Sequence, residues 1–289
     1  SAPFARREES ATSILQAIVL GITQGVTEFA PISSSGHLII VPWLFGWTIL
    51  RNPELNKTFD VALHIGTLIG ALLYFRHDVA RYLAAWLRSI RRRSIASADE
   101  RLAWALIAGT IPGALVGALF GNVIEDTLGQ PWLIAVMLIA FGVILVWVDR
   151  AAPIRRGIAD LSVRDGVVLG LAQAAALQPG VSRSGVTITA GRALGLDRES
   201  AARFSFLLSL PIIAGAGIFK GIDVAGSGLP PGLAWPFVWG IVASAVSGFL
   251  VIALLLAYLR RHSFVVFLIY RVAVAIVVFA VIVLFLLSA

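Results

Sequence analysis

A chain of 289 residues with 58% hydrophobic side chains, 13% charged ones and a mean hydropathy of +0.91 has too little polar surface to cover a soluble globule. It reads as a polytopic membrane protein, since each span needs about 20 apolar residues and the long apolar runs match that length. The net charge of +7 sits in short basic loops between those runs, which points to cytoplasmic loops and anionic lipid rather than nucleic acid, and the lack of cysteine excludes disulfides and thiolate chemistry.

The polar opening, SAPFARREESATS, lacks the basic-then-apolar order of a cleavable signal, so insertion is expected to rely on the spans. A helical pattern over residues 11–29 should stop at Ala30-Pro31, because the residue before proline is pushed out of the helical region. Ser33 to Ser35 then offer N-caps for a short helix from His37 to Phe45. That helix is too short to cross, so the pair reads as re-entrant, entering and leaving by one face. Residues 58–75 form a full span carrying Asp60 and His64, which read as an interhelical packing pair. An arginine-rich loop follows over 76–101.

Residues 102–121 form the next span, with Gly109, Gly113, Gly117 and Gly121 along one ridge that permits close helix approach within or between subunits. Pro112 is expected to bend it. Residues 131–148 cross back. A helix over about 165–177, a break at Gln178-Pro179-Gly180 and a short helix from Ser182 toward Leu194 repeat the opening pattern, with Arg192 read as an ordinary surface or interface arginine. Spans at about 204–220, 235–258 and 264–287 complete the chain.

Leu20 to Ile39 and Leu169 to Ile188 align without gaps at an offset of 149, matching at Gly21/Gly170, Gln24/Gln173, Ser33/Ser182, Ser35/Ser184 and Gly36/Gly185. The fold expected is therefore an all-α polytopic membrane protein, one membrane domain over 1–289 with two inverted-topology repeats. The repeats cover about 11–149 and 160–287, each a re-entrant helix pair plus three transmembrane helices. Loops 76–101, 150–164, 196–203 and 259–263 are basic, whereas 122–130 and 221–234 hold acidic residues and no arginine. This bias puts the basic set in the cytoplasm and both termini outside. Five full crossings per half would give the same loop sides but would separate Ser33 and Ser182; two re-entrant tips meeting near the midplane build one site.

The chemistry-bearing residues fall at those tips. Arg183 presents a planar fork suited to phosphate oxygens, and Ser182 and Ser184 flank it at a helix start, where free N–H groups and the dipole favour an anion. Gln24 and Glu28 share a helical face. One carboxylate with a polar neighbour and substrate phosphates describes a Mg²⁺ or Ca²⁺ environment. Inverted repeats with broken helices are also transporter architecture, so a lipid-phosphate flippase is the alternative.

The segments Gln24-Gly-Val-Thr-Glu28-Phe-Ala-Pro31-Ile-Ser-Ser-Ser-Gly36-His37 and Pro179-Gly-Val-Ser-Arg183-Ser-Gly-Val-Thr187 resemble the two signature motifs of the bacterial undecaprenyl-pyrophosphate phosphatases, the bacitracin-resistance membrane family. The resemblance implies hydrolysis of undecaprenyl pyrophosphate to the monophosphate carrier used in cell-wall synthesis, in the bacterial cytoplasmic membrane, with divalent-metal dependence and a pocket opening outward. A polyprenyl pyrophosphate lipid is then the partner, and a homodimer is compatible with it. By position, the acidic motif falls on Gln24 and Glu28, as metal ligands, and the serine-histidine motif on Ser33, Ser34 and His37. The phosphate-binding set is Ser33, Ser35, Gly180, Ser182, Arg183, Ser184 and Thr187. Glu28 would hold metal or act as base; Ser34 or His37 would be a covalent nucleophile, or His37 the acid for the leaving phosphate.

Overall fold

The computed structural model describes residues 2–47, 53–227, 229 and 232–288. Among them the chain forms eleven α-helices and no named strand: α1 (Ala2–Phe29), α2 (Ser34–Phe45), α3 (Pro53–Tyr74), α4 (Arg76–Arg92), α5 (Ala98–Leu128), α6 (Pro131–Ala151), α7 (Val163–Ala174), α8 (Arg183–Ala193), α9 (Arg198–Ser227), α10 (Ala234–Leu259) and α11 (Val265–Ser288). Five of these, α5, α6, α9, α10 and α11, are long and apolar enough to cross a membrane, and α3 taken with α4 gives a sixth candidate. The short helices α2, α7 and α8, of 12, 12 and 11 residues, are below spanning length. Exposed apolar side chains such as Leu250, Leu254, Ile269 and Leu286 on α10 and α11 are what a lipid-facing surface requires.

Three elements differ from expectation. Residues 76–92 are not loop but helix α4, set at 81° to α3. Tyr82, Ala85 and Ser89 face inward while arginines and the exposed Leu83, Leu87 and Ile90 face out, a composition that suits a helix lying along a membrane surface. Asp78 in its first turn and Arg91 and Arg92 in its last complement the helix dipole. The second difference is at α5, which starts at Ala98 because Ser97 and Glu100 form a capping box, and which continues through Pro112 to Leu128. Most of the expected 122–130 loop is therefore helical. The side chains of Glu125, Asp126, Asp223 and Ser227 lie outside the described residues, as do those of residues 1–13. The third is Arg192, which is no interface arginine. It is fully buried, and its guanidinium donates to Asp149 Oδ1 (2.8 Å) and to the carbonyls of Asp149 (3.0 Å), Ala152 (2.9 Å) and Leu196.

The basic segments gather at one end. Arg203 pairs with Asp78 (2.5 Å) and Arg260 with Glu199 (2.8 Å), Arg198 meets Asp149 (2.9 Å), and the Arg155 and Arg156 amides donate to the Gly195 carbonyl (3.0 and 3.1 Å). The grouping inferred from arginine bias is thus a spatial one.

Between the ends, the two halves interleave. Helix α1 packs on α10, which packs on α3; α7 packs on α5, which packs on α9; α6 and α11 pair with each other. Backbones touch at these crossings: a Cβ on Gly21 would lie 2.4 Å from the Gly240 carbonyl oxygen, and one on Gly170 only 2.2 Å from that of Gly109. The glycine ridge therefore packs within the chain at Gly109. The largest buried apolar cluster includes Phe29, the last residue of α1, with Phe206, Leu208 and Leu256, and Phe29 stands edge-on to Phe206 at 5.3 Å.

Candidate active site

Both motif helices stop for the same local reason and restart in the same conformation. After Pro31, Ser33 adopts φ 75°, ψ 96°, and its Oγ accepts from the Gly36 amide (3.3 Å). After Pro179 and Gly180, Ser182 adopts φ 76°, ψ 115°, and its Oγ accepts from the Gly185 amide (3.1 Å). Positive φ at a non-glycine residue costs about 1–3 kcal/mol and persists where surrounding structure dictates it. Here the two breaks hold each other: the Gly180 amide donates to Ser33 Oγ (3.0 Å), and Ser184 Oγ donates to the Ala30 carbonyl (3.1 Å).

A third element braces them. Arg271 of α11 is fully buried and donates from Nε to the Pro31 carbonyl (2.6 Å), from Nη1 to that of Leu138 (3.3 Å) and from Nη2 to that of Val181 (3.3 Å). One guanidinium thus ties off carbonyls in both breaks, where no water is at hand in a membrane interior. Sequence reasoning missed it. The signal was present, since Arg271 is the one charged residue in the apolar run 265–288, and a charge at that depth is a candidate for a special role by default.

At the tips lies a cavity of about 280 Å³, lined by Glu28, Ser33, Ser34, Ser35, Ser182 and Arg183 among others. Glu28 is its hub and is 5% exposed. One carboxylate oxygen pairs with Arg183. The other accepts from Ser34 Oγ (2.6 Å) and Gln24 Nε2 (3.0 Å), and lies 3.5 Å from His64 Nε2. The 2.6 Å bond is in the range of a hydroxyl donating to an ionised carboxylate.

The sequence-predicted residues divide into those that face this cavity and those that hold its walls. Glu28, Ser33, Ser34, Ser35, Ser182 and Arg183 face it. Gln24 stands beside Glu28, fully buried. Gly180 has φ 95° and spends its amide on Ser33 rather than on a free anion site. Buried Ser184 is bonded to Ala30, and Thr187 donates to the Arg183 carbonyl (2.7 Å) and meets Ser205 Oγ (2.6 Å), so both support the second break from behind.

The two histidines exchange places relative to expectation. His37 lies outside the cavity lining, buried, with Nδ1 donating to the Ser33 carbonyl (2.7 Å), Nε2 2.9 Å from the Tyr270 hydroxyl and its ring stacked on Tyr270. A carbonyl only accepts, so a proton is on Nδ1, and Nε2 is occupied by the tyrosine hydroxyl. His64, read from sequence as a packing residue, lines the cavity. Its Nδ1 donates to the Asp60 carbonyl (2.8 Å), and that bond turns Nε2 toward Glu28. Helix spacing made the Asp60–His64 face visible, but which neighbour it faced was a matter of tertiary packing.

Among the described residues no group of three or more His, Asp or Glu is placed to hold a metal ion. The oxygen donors at hand are Glu28 and the Gln24 amide oxygen, which has no partner among the described residues. That set is too small for an all-protein cage. It fits a hard cation held by one or two protein oxygens and completed by substrate phosphates.

The profile of the family described as "Bacitracin resistance protein BacA" matches residues 17–277. The chain is 49% identical over 259 residues to an undecaprenyl-diphosphatase of Geobacter sulfurreducens, covering 89% of this chain and 94% of the relative. It is 47% identical over 260 residues to one of Pelobacter propionicus (90% and 93% covered) and 47% over 270 residues to one of Moorella thermoacetica (93% and 98%). Both motifs, the breaks they build and the cavity between them lie inside the matched region, and the chain belongs to the bacitracin resistance protein BacA family.

Proposed function

We propose that this protein is an undecaprenyl-diphosphatase, removing the terminal phosphate of undecaprenyl pyrophosphate to return the monophosphate carrier for cell-wall synthesis and thereby conferring bacitracin resistance. Family membership and near full-length relatives of that name support the activity. The observation that carries the mechanism is the Ser34–Glu28 hydrogen bond of 2.6 Å, inside one cavity with Arg183.

Glu28 accepts the Ser34 proton as Oγ attacks the terminal phosphorus; the bond to the bridging oxygen breaks, and undecaprenyl phosphate departs with the electron pair. Once Glu28 has passed that proton to His64, it deprotonates a water that attacks the phosphoserine; inorganic phosphate leaves, and Glu28 returns the water's proton to Ser34 Oγ. In the free protein Arg183 is held by Glu28. The substrate's terminal phosphate offers the guanidinium a bidentate partner, and that exchange releases Glu28 to act as base. His64, 3.5 Å from Glu28, is placed to take that proton onward or return it to the leaving group. His37 acts through Ser33, holding the turn that aims Ser34.

Glu28 and Gln24 would hold Mg²⁺ or Ca²⁺, whose contribution when bound is to neutralise charge on the diphosphate. The inverted repeats, about 11–149 and 160–287, belong to the same reading, supported by the matching Ser33 and Ser182 caps and the reciprocal helix packing. So does location in the cytoplasmic membrane with the pocket opening outward. Gly113 and Ala216, which line the cavity, stand 15 and 18 residues beyond the basic-side starts of α5 and α9 (113 − 98 and 216 − 198), roughly 22 to 27 Å along the helices. Phosphate release by the purified protein from undecaprenyl pyrophosphate, across a range of metals and pH, tests the activity; release is expected, and its absence would leave a transporter as the better reading.

A further inference from the structure

Gln173 lines the cavity, is 4% exposed, and neither its amide nitrogen nor its amide oxygen has a hydrogen-bond partner among the described residues. A buried primary amide left wholly unpaired costs several kcal/mol at the upper end, so native proteins keep one only where something else satisfies it. The aligned residue in the first motif shows what is missing. Gln24 donates to Glu28, four residues on, while the residue four after Gln173 is Leu177, whose side chain also borders the cavity. The second copy has kept the amide and replaced its internal partner by a hydrocarbon.

The chain also makes room for this side chain. A Cβ on Gly113 would lie 3.0 Å from Gln173 Nε2, and Arg183, Ser182 and Ser34 border the same space. A neutral amide in the same cavity as an arginine adds N–H donors without adding charge, which suits a polyanionic group that Arg183 only partly neutralises.

We infer that Gln173 is a substrate-binding residue whose Nε2 donates to a non-bridging oxygen of the bound diphosphate, a role that rests on the phosphatase reading above. Leucine at this position has similar bulk and no polar atoms. Gln173→Leu should therefore keep or raise Tm, while KM for undecaprenyl pyrophosphate and the inhibition constant of inorganic phosphate each rise about tenfold. Gln173→Glu, of the same shape with a negative charge facing an anion, should raise KM further. Wild-type turnover in the same assay separates the two claims: an inactive wild type overturns the phosphatase reading. An active wild type with KM and phosphate inhibition within twofold in both variants overturns the role of Gln173 alone. Loss of kcat with lowered Tm and unchanged KM also overturns it, since that is the signature of a packing residue.

Discussion

Arg183 and Glu28 pair in the cavity, and in the proposed mechanism the arginine exchanges that carboxylate for a phosphate while keeping its two-point geometry. Lysine keeps the charge and loses the fork. Arg183→Lys should lower kcat/KM by about 2 to 4 kcal/mol of transition-state stabilisation, the range for losing one preorganised donor, with little change in Tm. Comparable kcat/KM in the two proteins would make Arg183 a structural counter-ion. The histidines provide a second contrast. His64→Ala removes a side chain that borders the cavity and should depress kcat at unchanged Tm; His37→Ala removes buried bonds to Ser33 and Tyr270 and should lower Tm as well as kcat. If His37→Ala kept its Tm and His64→Ala kept its kcat, the assignment made from the cavity would be reversed. At this scale the sequence was informative about residue type and poor about direction. The motifs placed Glu28, Ser34 and Arg183 together, but they gave no hint that His37 would turn its ring to Tyr270, 233 residues away.

The two helix breaks were legible because proline and serine act locally, through the residue before proline and through the N-cap. Helix α4 was not, because its arginines masked a helical repeat of inward-facing Tyr82, Ala85 and Ser89 that only packing on α5 makes apparent. Arg271 was missed for a related reason: it binds carbonyls rather than a carboxylate, so no partner stands out in the sequence. Its deletion should be felt at both breaks. Arg271→Met is expected to destabilise by on the order of 1 to 3 kcal/mol, with the freed carbonyls of Pro31 and Val181 unpaired. Activity should fall with Tm in thermal-shift and turnover assays, since the braced turns carry Ser34 and Arg183. A variant as stable and active as the parent would show that the caps at Ser33 and Ser182 hold the turns unaided.

Across the whole molecule, the basic segments meet at one end through Arg203–Asp78, Arg260–Glu199 and Arg198–Asp149, as the arginine bias implied. Single cysteines read out the sidedness cleanly, because the chain has none of its own. In intact cells a membrane-impermeant thiol reagent should label Asp126→Cys but reach Ser94→Cys and Ser263→Cys only after lysis; the opposite pattern would place the cavity's opening on the cytoplasmic side. What the interleaved halves achieve together is one cavity in which the first motif supplies Ser34 and Glu28 and the second supplies Arg183. The most direct test of that account is acid-quenched single turnover with substrate labelled at the terminal phosphorus. Label should appear on the protein, survive acid, be released by alkali and be absent from Ser34→Ala. Acid-labile label, or label undiminished in Ser34→Ala, would contradict it.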